Sequence, residues 1–303
     1  MFLLHADHSS EGVILFLESV ILEGLIDTLK IIPFLFFTYL LMEFIEHRAG
    51  EKTERIISRA GIFAPIIGGA VGAVPQCGFS AAAANLYAGR VISIGTIIAV
   101  FLSTSDEMIP ILISGSVPVV TVCLVVLYKA AVAMIVGLAV DFVLRILNKK
   151  QDKINIDAIC DEDNCHCERG ILHSAVHHTL TISAFVLIIT IVINALVFFI
   201  GEENLGAVMY NKPFVSHLIA AVFGLIPNCA ASVALAGLCT EGLITAGTMM
   251  SGLFSGAGVG LLVLFRVNKQ YKENLLIIGI IVACGIIFGM IGDLIFPAEL
   301  FVK

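Results

Sequence analysis

Two stretches, VGAVPQCGFSAAAANL at residues 71–86 and FGLIPNCAASVALAGL at residues 223–238, decide how this chain is read. Slid by 152 residues, the first brings Gly72, Pro75, Cys77, Ser80, Ala82, Ala84 and Leu86 onto identical residues of the second. The register runs on without a gap through Ile92/Ile244, Gly95/Gly247, Thr96/Thr248, Ser103/Ser255, Gly137/Gly289 and Asp141/Asp293. Self-similarity at one fixed offset marks an internal duplication, here of a unit of about 115 residues.

The sequence around the two stretches is apolar. Of 303 residues, 59% are hydrophobic and 14% charged, against roughly 25% charged in soluble domains. Twenty-three of the charges fall in 43–59, 145–169 and 266–273, leaving apolar segments at 31–45, 61–89, 91–115, 117–144, 172–200, 213–240, 243–265 and 274–296. Runs of about 18 apolar residues or more read as transmembrane helices, so the fold class is an all-α polytopic membrane protein. This composition excludes a disordered chain, a disulfide-rich secreted domain and a coiled coil. A net charge of −7 leaves no basic stripe for nucleic acid.

The expected organisation is an amphipathic segment at 1–30, lying at the interface with Glu18, Glu23 and Asp27 among leucines and isoleucines. Transmembrane repeat 1 follows at 31–147, a Cys/His/acidic loop at 148–171 and transmembrane repeat 2 at 172–303. The N-terminal MFLLHADHSSEG lacks the basic region of a cleavable signal, so the first true helix is expected to direct insertion.

Charge decides the topology. If all eight segments cross, the loop lysines and arginines divide eight against eight, contrary to the excess expected on the cytoplasmic side. If 61–89 and 213–240 instead enter and return as re-entrant hairpins, Arg48, Lys52, Arg55, Arg59, Arg90, Arg145, Lys149, Lys150, Lys153, Arg169, Arg266, Lys269 and Lys272 all become cytoplasmic. Lys30, Lys212 and Lys303 stay outside, and Lys129 lies within a helix. Pro75 and Pro227 break each hairpin near its middle, because proline lacks an N–H and disfavours helix in the residue before it. The residues from 61 to Pro75 would span about 21 Å, enough to reach the midplane. Three crossings per repeat make the second copy inverted relative to the first, the architecture of secondary transporters. A kinked full span in each repeat is the other reading.

Irregular backbone at membrane depth survives only when buried or lining a wet cavity. Each break carries a carboxamide, a thiol and a hydroxyl: Gln76, Cys77 and Ser80 in one copy, Asn228, Cys229 and Ser232 in the other. The limbs that follow begin there, so free N–H groups and soft ligands converge, and the six residues form the candidate substrate site. The copies then differ. Ser103-Thr104-Ser105-Asp106-Glu107 faces Ser255-Gly256-Ala257-Gly258-Val259, and Lys129 faces Ile281. Intramembrane charges default to function, so Ser103, Asp106, Glu107 and Lys129 are candidates for coupling or ion binding, with a buried structural ion pair as the plainer account. Adjacent Asp106 and Glu107 point about 100° apart on a helix and cannot both face one ion unless the backbone unwinds. Asp141 and Asp293, at helix ends in both copies, read as structural. Gly252, Gly256 and Gly260, spaced by four, read as tight helix packing.

The inter-repeat loop holds Cys160, Cys165, His166 and Cys167 among carboxylates, a donor set suited to zinc or another soft divalent ion. Its C-x4-C-H-C spacing is not that of a standard finger, and a merely polar loop is the alternative. No Walker motif and no nucleophile–base pair stand out, so neither an ATPase nor an enzyme is expected. No cofactor is expected beyond a transported or bound metal or metalloid ion. The expected partners are the lipid bilayer and that ion, with a homodimer compatible.

The segments PQCGFSAAAANLYAGRVISIGT (75–96), FLSTSDEMIPILIS (101–114) and IPNCAASVAL (226–235) resemble the ten-helix heavy-metal exporters of bacteria and archaea, whose members are labelled arsenic efflux proteins or manganese transporters. The likeness extends over nearly the whole chain. The ten segments of that family correspond to six spans plus four hairpin limbs here. The resemblance implies export of a metal or metalloid from the cell across the inner (cytoplasmic) membrane. Paired thiols suit arsenite or thiophilic metals better than manganese, which prefers oxygen. The expectation is therefore a secondary-active exporter working by alternating access. The rivals are a transporter of a small anion held at the hairpin N-termini and a passive channel.

Overall fold

The computed structural model describes residues 17–22, 25–26, 28–29, 32–33, 35–37, 39–40, 61, 63–74, 77–104, 108–147, 171–200, 213–227, 229–297 and 300–301. Among these the chain is helical, with no strand. A π-helical turn at Leu17–Leu22 packs against the long helix that opens the second half. Val20, Thr28, Leu35 and Tyr39 are buried. Tyr39 Oη donates to Asn85 Oδ1 at 2.8 Å, which ties this segment to the stretch that follows Pro75.

The helices named from here on are α1 (Ala64–Gly72), α2 (Cys77–Ala88), α3 (Ile94–Ser103), α4 (Met108–Ser114), α5 (Val119–Ile146), α6 (Ile171–Ile200), α7 (Pro213–Gly224), α8 (Cys229–Thr240), α9 (Ala246–Ser255), α10 (Val259–Val267) and α11 (Tyr271–Ile295). Among the described residues five stretches are long and apolar enough to cross a membrane: Ile94–Ser114, Val119–Ile146, Ala175–Val192, Ala246–Val267 and Tyr271–Ile295. The chain is a polytopic α-helical membrane protein.

The 152-residue offset carries over into structure. α2 and α8 start and end at matching positions, as do α3 and α9, and α5 and α11 start at matching positions. In the first half, Ser93 caps α3 by accepting from Thr96 N; in the second, Thr245 caps α9 by accepting from Thr248 N. Asp141 on α5 accepts from Gly95 N (2.8 Å) and Ser93 Oγ (2.6 Å), and Asp293 on α11 accepts from Gly247 N (2.6 Å) and Thr245 Oγ1 (3.1 Å). Each aspartate thus satisfies a further N–H at a helix N-terminus and fixes the hydroxyl that caps it, which is the structural role its sequence position suggested. The second pin has an addition: His217 Nε2 lies 3.2 Å from Asp293 Oδ2, where the first half has Pro65.

Small residues let the helices of each half close up. A Cβ on Gly137 would fall 2.6 Å from Gly95 O, and one on Gly289 would fall 2.7 Å from Gly247 O. α1, α3 and α5 pack together in the first half as α7, α9 and α11 do in the second. The remaining short helices cross over: α2 lies on α10, and α8 on α4. The outer faces of α5 and α11 are apolar, with Val120, Leu124, Leu127, Ile135, Leu275, Ile287 and Leu294 exposed, whereas Ser80, Asn85, Ser103, Thr104, Lys129, Ser251 and Ser255 are buried. Polar groups inside and apolar groups outside is the arrangement lipid demands.

One expectation changes. The segments 91–115 and 243–265 are not uninterrupted helices. α3 stops at Ser103, and α9 stops at Ser255. In the second half the break is Gly256-Ala257-Gly258, with Gly258 at φ +53, a left-handed conformation that a side chain would strain. The four-residue glycine spacing therefore packs helices only in part. Gly252 meets Ala220 and Leu235, Gly260 meets Ser80, and Gly256 lies in the break.

Candidate functional site

The α3 break is made locally. Ser103 Oγ, Thr104 N and Thr104 Oγ1 all donate to Val100 O, at 3.0, 3.1 and 2.8 Å. Thr104 then turns out of the helix at ψ 126, and its carbonyl accepts from Lys129 Nζ at 2.6 Å. The α9 break frees a second carbonyl. Ala257 N donates to Ser255 O (2.9 Å) in place of the helical partner Leu253 O, and Leu253 O accepts from Lys129 Nζ at 2.9 Å.

A fully buried ammonium thus sits on two main-chain carbonyls, one from each half. Both lie at helix C-terminal ends, where the dipole is negative. The Phe254 ring centroid, 5.7 Å from Nζ, adds its π-face. Tyr128 next to Lys129 also reaches into the second half, donating to Phe288 O at 2.7 Å.

The first of the two broken stretches borders this junction where α2 lies on α10. A Cβ on Gly260 would lie 2.7 Å from Ser80 Cβ, so α2 and α10 touch backbone to backbone two residues past Gly258. Ser80 is fully buried, and Ser232 on α8 is half-buried. Cys77 and Cys229 open α2 and α8, with their side chains outside the described residues. Gln76, Asn228, Asp106, Glu107, Cys160, Cys165, His166 and Cys167 also lie outside them. The structure brings Ser103-Thr104 to Lys129 and Ser80 to the α9–α10 break. Ser103 itself points its hydroxyl back into its own helix against Gly72. Among the described residues no group of three or more His, Cys, Asp or Glu side chains is placed to hold a metal.

Sequence reading missed a second polar cluster, where α2 meets the start of α11. Tyr87 Oη and Arg90 Nη1 both donate to Glu273 Oε2, at 2.7 and 2.8 Å, and Arg90 stacks over the Tyr87 ring at 5.3 Å. With its amide turned to suit both neighbours, Gln270 donates to Glu273 Oε1 (3.0 Å) and accepts from Arg90 Nη2 (2.7 Å). Burial works against the charge on Arg90, but the bond to Glu273 and the surrounding charges outweigh it, so its pKa rises above the ordinary value. Glu273, in the first turn of α11, falls in the charged stretch 266–273 between apolar segments, which reads from sequence as a solvated connection. The only signal was a tyrosine one turn before an arginine at a helix end.

No curated protein and no solved structure matches the chain. A family model described as "Putative, 10TM heavy-metal exporter" matches residues 17–177, more than half of the chain and short of most of the second half. The matched stretch contains the break between α1 and α2, the α3 break and Lys129. Its description agrees with the apolar spans and with the resemblance carried by residues 75–114. The chain belongs to the 10TM heavy-metal exporter family.

Proposed function

We propose that the chain is a secondary-active exporter that carries a metal or metalloid ion across the inner membrane by alternating access. In this reading repeats 31–147 and 172–303 are inverted copies. Residues 61–89 and 213–240 are re-entrant hairpins, and loop 148–171 is cytoplasmic. The observation that carries the proposal is the seat of Lys129: a cation bound by the broken ends of two helices from different halves. Carbonyls freed by helix breaks near the midplane are how transporters of this architecture hold cations. The crossing of α2 onto α10 and of α8 onto α4 supports a two-fold relation between the halves.

Gln76, Cys77, Ser80, Asn228, Cys229 and Ser232 would supply the soft and polar ligands of the cargo. Asp106, Glu107 and Lys129 would couple its movement to protons or charge. The family consists of transporters, and no enzymatic step is assigned. Loop residues Cys160, Cys165, His166 and Cys167 would act as an acceptor for the cargo ion. Deleting 160–167 tests this: unchanged metal binding and metal tolerance would remove the loop from the mechanism.

The deciding experiment is uptake into inverted vesicles with arsenite, manganese, zinc and simple oxyanions. Saturable uptake of a metal or metalloid is expected. Uptake of an oxyanion alone would transfer the site to the hairpin N-termini and an anionic substrate. Flux that neither saturates nor shows counterflow would make the protein a channel.

A further inference from the structure

The turn that ends α2 is built twice. Gly89 N donates to Asn85 O, and Val91 N and Ile92 N donate to Leu86 O; Glu241 N donates to Gly237 O, and Leu243 N and Ile244 N to Leu238 O. At the left-handed position of this turn the second half has Gly242, at φ +74. Glycine takes that conformation freely. The first half has Arg90 at φ +58, a conformation that costs any residue with a side chain. Strain of this kind persists where surrounding contacts enforce it, and it gathers at switch regions.

The contacts that enforce it are those to Glu273. They join the foot of α2, a limb of the first half that carries Ser80, to the start of α11 in the second half. The equivalent positions in the other pairing are Cys239, Gly242 and Thr121, none charged at neutral pH. That end closes by simple packing, where a Cβ on Gly115 would fall 2.6 Å from Thr240 Cγ2. Among the described residues the two pairings are thus held by different chemistry: one by an ion pair with both carboxylate oxygens engaged, the other by a neutral contact.

We infer that Tyr87, Arg90, Gln270 and Glu273 form the gate at the end bearing loop 266–273. It is closed in this conformation and opens when α2 parts from α11. This rests on the alternating-access reading, which requires the ends to open in turn. The charge distribution puts this end on the cytoplasmic side. The separated Arg90 and Glu273 would be hydrated by the water that the open gate admits.

The test is sided labelling of native Cys77 by a membrane-impermeant maleimide, read peptide by peptide in inside-out and right-side-out vesicles. Arg90→Gly breaks the ion pair while relieving the backbone strain, so the fold is retained. Glu273→Gln breaks the same pair from the other side. In both, labelling from the cytoplasmic face should rise roughly fivefold to tenfold without rising from the outer face. Tyr87→Phe should move it the same way by less. If Glu273→Gln does not fold, Arg90→Gly and Tyr87→Phe decide. Unchanged labelling, or an equal rise from both faces, overturns the gate. The assay needs no substrate. Sided labelling with no flux of any metal or metalloid keeps the gate and removes the exporter reading, and flux with unsided labelling removes the gate alone.

Discussion

Lys129 Nζ lies 2.9 Å from the carbonyl oxygen of Leu253, so a side chain of the first half closes on the main chain of the second. The same nitrogen holds Thr104 O. One side chain therefore spans both broken helices.

Replacing Lys129 with Met is expected to leave the protein folded and nearly inactive. Two carbonyls lose a charged donor, worth about 1–3 kcal/mol. The penalty of burying an ammonium at a helix centre, roughly 2.5–3.5 kcal/mol, disappears with it. The melting midpoint in detergent should stay near that of the parent while vesicle uptake falls at least about tenfold. Parent-like uptake would make Lys129 a structural bolt.

Two glycines should respond in opposite directions to the same added methyl. Gly260→Ala drives a Cβ against the Ser80 backbone at 2.7 Å and should destabilise by about 1–3 kcal/mol. Gly279→Ala, on the exposed face of α11 with nothing within 4 Å of the new Cβ, should stabilise by roughly 0.5–1 kcal/mol. Paired thermal unfolding curves read both. A neutral Gly260→Ala would mean that α2 and α10 are looser than the close approach implies.

The aspartate pins should behave as independent copies. Asp141→Ala and Asp293→Ala each remove the acceptor of Gly95 N or Gly247 N from a helix N-terminus, and each should lower stability by about 1–3 kcal/mol. Because the pins share no partner, the double variant should equal the sum within about 0.5 kcal/mol. Strong non-additivity in denaturant unfolding would mean that the halves unfold as one through these sites.

Cys77→Ser combined with Cys229→Ser separates soft cargo from hard. Thiolate ligands select thiophilic ions, so uptake of arsenite or zinc should drop at least about tenfold while manganese uptake changes little. Loss of neither would move the substrate to the oxygen ligands and helix termini.

What the sequence disclosed followed from side-chain identity. Residue matches between 71–96 and 223–248 exposed the duplication, and Pro75 and Pro227 marked the first interruption in each copy. Asp141 and Asp293 were readable as structural because they recur at helix ends. The second interruption was not readable. Thr104 leaves the helix through hydroxyl-to-carbonyl bonds with no proline to announce them, and Gly256 and Gly258 sit at spacings that equally suit packing. The seat of Lys129 stayed hidden for a related reason: its two acceptors are main-chain atoms, which every residue possesses. The Arg90–Glu273 pair joins residues 183 positions apart, and nothing local links them.

The Lys129 seat also bears on affinity. Any cation that reaches the carbonyls of Thr104 and Leu253 finds them occupied by a competitor on a four-carbon tether. Such a competitor acts at an effective concentration of order millimolar or above, and dilution of the cell's contents does not lower it. An ion that uses these carbonyls must displace it, so its apparent affinity is weaker than the seat alone would give. A weakly held ion is one the protein can release.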